Sequence, residues 1–295
     1  MALKKTLGSV LVVVLCTGLS IALAALGSEP GSRLLGLPSL VSLALIALAL
    51  QWLMFVPAYV AQTEHYYDLT GSVTYLTLIW LALWAASAEG VGARAWLLAG
   101  LVSIWALRLG SFLFRRVKQS GKDGRFDEIK PDWARFLVAW TLQGVWVFVT
   151  LIAALIAVTG SSAPALDVWA VAGALVWALG FGIEAVADAQ KTRFKADTAN
   201  SGKFINVGLW AWSRHPNYFG EILLWIGVCI IAVPSFSGWQ WLGLLSPLFV
   251  AALIVGVSGV PLLEQRADEK WGEDPDYQRY RANTPVLLLW PPKSG

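Results

Sequence analysis

The chain has 295 residues, 57% of them hydrophobic and only 14% charged, with a mean hydropathy of +0.62 and a formal net charge of +3. Soluble domains carry nearly twice that charged fraction, so a water-soluble globular fold is excluded. The two cysteines, Cys16 and Cys229, both lie inside apolar runs, which leaves neither a disulfide framework nor a zinc ligand set; no metal and no nucleic-acid partner is expected.

Apolar runs near 20 residues long recur along almost the whole length, so the bilayer is the solvent for most of the protein. Eight are read: roughly 6–26, 38–61, 72–88, 95–114, 136–159, 166–187, 217–234 and 239–263. Backbone polar groups in lipid must be satisfied within the segment, so long unbroken runs predict helices rather than a barrel. The expected fold class is all-α, a polytopic membrane helical bundle of about seven to eight transmembrane helices forming one integral domain over 1–295. Seventeen tryptophans suit helix ends at the water–lipid boundary, with several packed inside. The first run follows "MALKK" and ends at "ALAALGS", a pattern shared with cleavable leaders, but its length of about 20 residues suits a spanning helix better.

Directly after the second run comes "AQTEHYYDLTGS". It packs Gln62, Glu64, His65, Tyr66, Tyr67 and Asp68 into seven residues. A tyrosine, or a carboxylic acid raised in pKa by burial, can polarise a ketone by donating a hydrogen bond. The alternative is an interfacial belt with a helix cap at Asp68. After the fourth run, "FRRVKQSGKDGRFDEIKPDWAR" is a basic, glycine-containing turn, which suits either phosphate binding or a solvated loop. The other loops, "GSEPGSRLLGLP", "SAEGVGARA", "TGSSAPALD" and "PSFSG", are short and bland.

The sixth run leads into "EAVADAQKTRFKADTANSGKF", where Glu184, Asp188, Lys191 and Lys195 are spaced 4, 3 and 4 apart. They form one stripe on a helix leaving the membrane. Ion pairs on a wetted helix end would explain the two lysines but not Glu184, which follows the apolar "VWALGFGI". Next, "LWAWSRHPNYFGEILLWIGV" sets Asn217 and Glu221 on one helix face behind Pro216, a residue suited to a first helical turn. Arg214 and His215 then precede a helix amino terminus, a position that favours an anion, and arginine adds a bidentate fork. An interfacial cap with Trp212 and Tyr218 as belt residues is the plainer alternative. The tail from Glu264 reads as a helix end with Arg266, Lys270 and Trp271, a turn at "GEDPD" and an amphipathic piece "YQRYRA". That piece either lies along the headgroups or folds Arg279, Tyr280 and Arg281 back over the same polar cluster.

If the amino terminus is cytoplasmic and eight helices alternate, 19 of the 22 basic residues fall inside. That split follows the positive-inside rule and predicts both termini in the cytoplasm. All four chemically equipped segments then share that face, as expected of a ligand site between helices of a bundle.

The combination "GIEAVADAQKTRFK", "GLWAWSRHPNYFGEILLWIG" and "ADEKWGEDPDYQRYRANTPVLLLWPP" resembles the carboxy-terminal half of the steroid 5α-reductase family. Over about 60–290 the chain resembles the bacterial branch of that family, labelled DUF1295, with "YYDLTGS" as an amino-terminal hallmark. The "RHPNYFGE" element is shared with sterol reductases and with isoprenylcysteine carboxyl methyltransferases, which bind S-adenosylmethionine there. The resemblance implies NADPH as cofactor and a lipophilic enone, a 3-oxo-Δ4 steroid in the family, reached through the lipid. It places the family's cofactor-binding aspartate on Asp188, its asparagine and glutamate on Asn217 and Glu221, and a downstream arginine on Arg266. A family asparagine is replaced by Glu184 and family histidines by Glu264. The ketone-polarising glutamate corresponds to Glu64, but the partner tyrosine aligns close to Trp105, so His65, Tyr66 or Tyr67 would substitute.

The division expected on this basis is 1–60 as amino-terminal helices, 61–135 as the substrate side with Gln62, Asp68 and Trp105, and 136–295 as cofactor-binding helices and tail. The expected activity is an NADPH-dependent reductase of a C=C bond conjugated to a ketone. A membrane methyltransferase using S-adenosylmethionine is the alternative, and a non-enzymatic sterol-binding scaffold a third reading. Lys191, Arg193, Lys195, Arg214 and Arg266 discriminate, because a 2′-phosphate plus pyrophosphate needs several cations and a sulfonium does not; His215, Tyr218 and Glu264 complete the expected cofactor set. Alanine- and glycine-rich helices suggest a bacterial inner membrane, with an endoplasmic reticulum as the other setting.

Overall fold

The computed structural model describes residues 2–28, 31–120 and 124–291. Ten α-helices occur among them: α1 Ala2–Gly27, α2 Ser39–Val60, α3 Tyr67–Ala86, α4 Ala93–Ser120, α5 Trp133–Thr159, α6 Val168–Ala196, α7 Pro216–Ala232, α8 Leu245–Gly256, α9 Val260–Trp271 and α10 Pro275–Asn283. A two-stranded hairpin, β1 Arg33–Leu34 and β2 Leu37–Pro38, precedes α2. Eight helical segments among the described residues are long and apolar enough to cross a bilayer, one for each expected run. The protein is an all-α, multi-pass integral membrane bundle.

Two of the expected runs differ in detail. α3 begins at Tyr67 rather than near 72, its amino-terminal flanking residue is Tyr66, and no side chain caps it. Asp68 therefore lies in the first helical turn, where it faces Arg116 at 3.6 Å instead of serving as a cap. The eighth run is interrupted: α8 stops at Gly256 and α9 restarts at Val260. Gly256 and Gly259 have no side chain to hold a helix together, and Pro261 cannot donate to the preceding turn.

The chain divides into two compact units. The first comprises residues 1–170 and 231–246. At its centre stands α5, buried continuously from Val147 to Thr159 and packed against α1, α2, α3 and α4. Its burial on every side, rather than its apolar composition, marks it as the interior helix, since a helix facing lipid is apolar all round as well. Asp132 starts it, accepting hydrogen bonds from the amides of Ala134 and Arg135. On α1, by contrast, Leu7, Leu11, Val14, Leu15 and Leu19 are exposed, the surface that a bilayer covers. Between helices, Gln51 donates to Thr74 at 2.9 Å and the Trp52 indole to Thr141 at 3.0 Å, the kind of polar glue that joins helices where lipid supplies no hydrophobic drive.

Arg94 ties one end of this unit together. Its guanidinium is 2% exposed and donates to the carbonyls of Ile231 at 2.6 Å and Ala165 at 2.7 Å and to the Asp167 carboxylate at 2.8 Å. Asp167 also accepts from the Ala170 amide at the start of α6. The arginine beside it holds the Asp167 carboxyl below the usual carboxylate range.

The second unit comprises residues 171–230 and 247–295. It holds most of α6 and α7, with α9, α10 and the tail. α6 and α7 touch backbone to backbone. A Cβ placed on Gly220 would sit 2.6 Å from both the Glu184 amide nitrogen and the Gly180 carbonyl, and one on Gly180 would sit 2.6 Å from the Gly220 carbonyl. Small residues at a membrane-helix crossing permit this approach, and it positions the polar groups described next.

Candidate functional site

In the second unit the Gly180–Gly220 crossing sets the register between α6 and α7. Glu184 lies one turn beyond Gly180 and Asp188 two turns beyond, while Asn217 and Glu221 flank Gly220. The Asn217 amide donates to the Asp188 carboxylate at 3.3 Å. Glu184 is 2% exposed and Asp188 6%, so two carboxylates are buried within about one turn of each other. Charges at such depth demand partners. α7 begins at Pro216, as its sequence position implies.

Just before α7, Arg214 and His215 converge on Glu264 of α9. The Arg214 guanidinium meets its carboxylate at 3.0 Å and the His215 Nε2 at 2.8 Å, with Arg281 of α10 at 4.0 Å. Tyr218 stacks on the His215 ring, centroids 5.7 Å apart. The tail reinforces the loop. The Arg214 amide donates to the Pro285 carbonyl, the Ser213 hydroxyl to that of Leu287, and the Trp290 amide to that of Trp212. The Tyr280 hydroxyl donates to the Trp210 carbonyl at 2.6 Å, and burial pushes both the Tyr280 and Tyr277 phenols up from their ordinary value.

Three buried polar atoms of this cluster have no hydrogen-bond partner among the described residues: Arg214 Nε, His215 Nδ1 and Asn217 Oδ1. A buried polar atom left unmatched costs about 1–3 kcal/mol, so three together in one small region call for a ligand or ordered water.

The cations distribute unevenly. Lys191 Nζ stacks 4.4 Å from the ring centre of Trp210, whose indole donates to the Ala187 carbonyl. Arg193, Lys195 and Arg266 are exposed, and among the described residues neither Arg193 nor Arg266 shows an ion pair. Arg281 and Tyr280 do fold back onto the loop, as one reading of the tail expected, whereas Arg279 pairs with Asp276 at the surface.

The expected ketone-facing residues lie in the first unit. α2 ends in a Schellman turn: the Thr63 amide reaches the Ala58 carbonyl and the Gln62 amide that of Tyr59. Gln62 occupies the left-handed position, φ +51°, usually reserved for glycine, and its side chain donates back to the Tyr59 carbonyl. Glu64 is buried and bonded to Lys130 across 66 positions of sequence. The Tyr67 hydroxyl donates to the Ala139 carbonyl at 2.9 Å. His65 is half-buried beside Thr63, and Tyr66 is exposed and stacked on Phe114. Trp105 is buried edge-on against Tyr75, ring centres 5.0 Å apart.

Sequence reasoning missed two groups. Lys130 was one cation among seven in a basic stretch, with nothing local to tie it to Glu64. The glycine crossing did have a signal: Gly173 and Gly180 on one helix and Gly220 and Gly227 on the next share a seven-residue spacing. Among the described residues no group of three His, Cys, Asp or Glu is arranged to hold a metal ion.

Comparison with known proteins gives a family model described as a protein of unknown function (DUF1295), which matches residues 54–284. An uncharacterized protein of Schizosaccharomyces pombe, C594.04c, is 26% identical over 184 residues, covering 51% of this chain and 54% of the yeast protein. The match thus spans about half the length of that relative. No solved structure matches the chain.

Proposed function

This chain belongs to the DUF1295 family, which is steroid 5α-reductase-like, and on that premise we propose that it is an NADPH-dependent membrane reductase of the C=C bond of a lipophilic enone. The observation that carries the cofactor half is the cluster on α6 and α7: two buried carboxylates, an amide contacting one of them, and three unmatched polar atoms beside it.

The donor set fits a dinucleotide. Asp188, Glu184 and Glu221 are acceptors for ribose hydroxyls or a carboxamide. Asn217 Oδ1 adds an acceptor and Arg214 Nε a donor. Most of the Arg214 fork is already engaged by Glu264 and the Arg281 carbonyl, so phosphate neutralisation falls chiefly to Arg193, Lys195 and Arg266. A 2′-phosphate and a pyrophosphate need such a group of cations. S-adenosylmethionine carries none of that negative charge, which is why the methyltransferase reading ranks second. When bound, the nicotinamide supplies a hydride, and the protein contributes orientation and a donor for the carbonyl oxygen. Burial of both acidic and aromatic groups in helices that face lipid suits a substrate that partitions into the bilayer.

Thermal unfolding of the detergent-solubilised protein tests this. A ligand present at a hundredfold excess over its dissociation constant stabilises by about 2.7 kcal/mol. NADPH is expected to raise the unfolding temperature and S-adenosylmethionine to leave it unchanged. The reverse pattern favours the methyltransferase, and no response to either removes the cofactor claim.

A further inference from the structure

The chain changes character abruptly after α10. That helix carries Asp276, Arg279 and Arg281, whereas residues 284–292 read "TPVLLLWPP", without a charge. Exposure alternates along this stretch. Val286, Leu288 and Trp290 are exposed, the last two by 63% and 67%, while Pro285, Leu287 and Leu289 are half-buried. Three hydrogen bonds tie the stretch to the loop before α7. The Arg214 amide donates to the Pro285 carbonyl at 2.9 Å, the Ser213 hydroxyl to the Leu287 carbonyl at 2.9 Å, and the Trp290 amide to the Trp212 carbonyl at 3.1 Å. The loop adds exposed apolar side chains of its own, Val207 and Trp212.

Exposed large apolar side chains concentrated on so short a stretch mark an interaction surface. Its occupant follows from where the loop stands. The seventh spanning segment begins at Pro216, four residues after Trp212. Between them the chain turns instead of running away from the span, because the His215 amide donates to the Ser213 hydroxyl. The loop and the tail bonded to it therefore lie where a membrane helix meets the headgroups. Tryptophan collects at that depth, since its ring is apolar while its N–H can stay wet. α10 has the opposite composition and suits water.

We propose that residues 285–290, together with Trp212, are a membrane-interface anchor: they seat in the headgroup–acyl boundary of the bilayer the chain spans and hold the 212–215 loop against it. That loop carries Arg214 and His215, whose Nε and Nδ1 are the unmatched atoms of the candidate site, and the tail supplies three of the bonds that fix it. The bilayer surface thereby becomes a structural partner of the site. This holds whichever ligand the site takes, so it stands apart from the reductase reading.

The full chain in phosphatidylcholine nanodiscs, without any ligand, tests the proposal by two readouts. The first is the surroundings of a nitroxide at Leu288→Cys, in a Cys16→Ala/Cys229→Ala background, against one at Arg279→Cys, whose side chain stands at the surface beside Asp276. Power-saturation spectroscopy reads access to oxygen, which concentrates among acyl chains, and to a nickel chelate, which stays in water. The label at 288 is expected to lose chelate access and keep oxygen access, and the label at 279 to be open to the chelate. Equal chelate access at both positions puts the stretch in water and overturns the anchor. Loss of access to both reagents at 288 means that protein covers the face, whether another part of the chain or a second copy, and overturns it as well.

The second readout leaves the cysteines in place. Leu288→Ser/Trp290→Ser keeps every backbone bond and removes only the apolar side chains, which a tail standing in water would lose at little cost. Hydrogen exchange over 210–215 and 285–290 is expected to quicken about tenfold or more in this variant, while the amides of α5 keep their rates. Unchanged exchange over the loop overturns the claim that lipid contact holds it.

Discussion

Two carboxylates, Glu64 in the first unit and Glu264 in the second, meet cations in opposite ways. Glu64 is buried against Lys130, which also lies 3.6 Å from the Asp127 carboxylate. Glu264 is shared by Arg214, His215 and Arg281, and both arginines have another recourse: Arg214 donates to the Arg281 carbonyl and Arg281 pairs with Asp268 at 3.0 Å. A shared centre of this kind tolerates damage and holds a loop and tail in place. The Glu64–Lys130 contact is more deeply buried, with side chains 3% and 14% exposed, so losing one partner there is expected to cost more.

The largest effect is expected from the scaffold beneath the shared centre. Gly220→Val drives a branched side chain into the Gly180 carbonyl and the Glu184 amide, and overpacking of that severity costs about 3 kcal/mol. Calorimetry should show the unfolding temperature lowered and the NADPH response lost with it. An unperturbed variant would mean that the crossing has slack and does not set the register of Asp188 and Asn217.

Next in size is the direct contrast between the two acids. Glu64→Ala leaves a mostly buried ammonium facing the more exposed Asp127 carboxylate and is expected to cost about 3 kcal/mol, against about 1 kcal/mol for Glu264→Ala, whose cations redistribute. Denaturant unfolding of both variants measures the difference; equal losses would erase the distinction.

A smaller effect is expected at alkaline pH. The neutral Tyr280 phenol donates to Trp210 and is favoured by burial, so its folded pKa lies above its unfolded one. Its contribution is therefore full below the unfolded value of 10.0 and is lost as pH rises through the folded one. Unfolding temperatures followed upward from pH 9 should fall less steeply in Tyr280→Phe. The smallest change is a gain: Gln62→Gly relieves a left-handed backbone and should stabilise the first unit by about 0.5 kcal/mol.

The sequence made much of this legible because lipid is an exacting solvent. Apolar runs longer than a core helix needs have one interpretation, and all eight became helical segments, the eighth broken between α8 and α9. Local chemistry was equally readable: Pro216 opens α7, the turn before α10 falls at "GEDPD", and the 4-3-4 stripe runs along the end of α6. What stayed hidden was long-range. Nothing near Lys130 signals an acid 66 positions away, and nothing near Gly180 reveals that Gly220 will touch it. The break between α8 and α9 was also missed, because Val257 and the apolar residues that follow kept mean hydropathy high across a segment where two glycines and Pro261 deny the backbone its bonds.

Isothermal titration of NADPH into the purified protein and into Asp188→Ala puts the central claim to its most direct test. Measurable binding that weakens at least tenfold in the folded variant is the expected result, since it removes a buried acceptor for the cofactor. Equal affinity in both proteins, or no heat of binding in the unsubstituted one, would contradict a nucleotide grip built from α6 and α7.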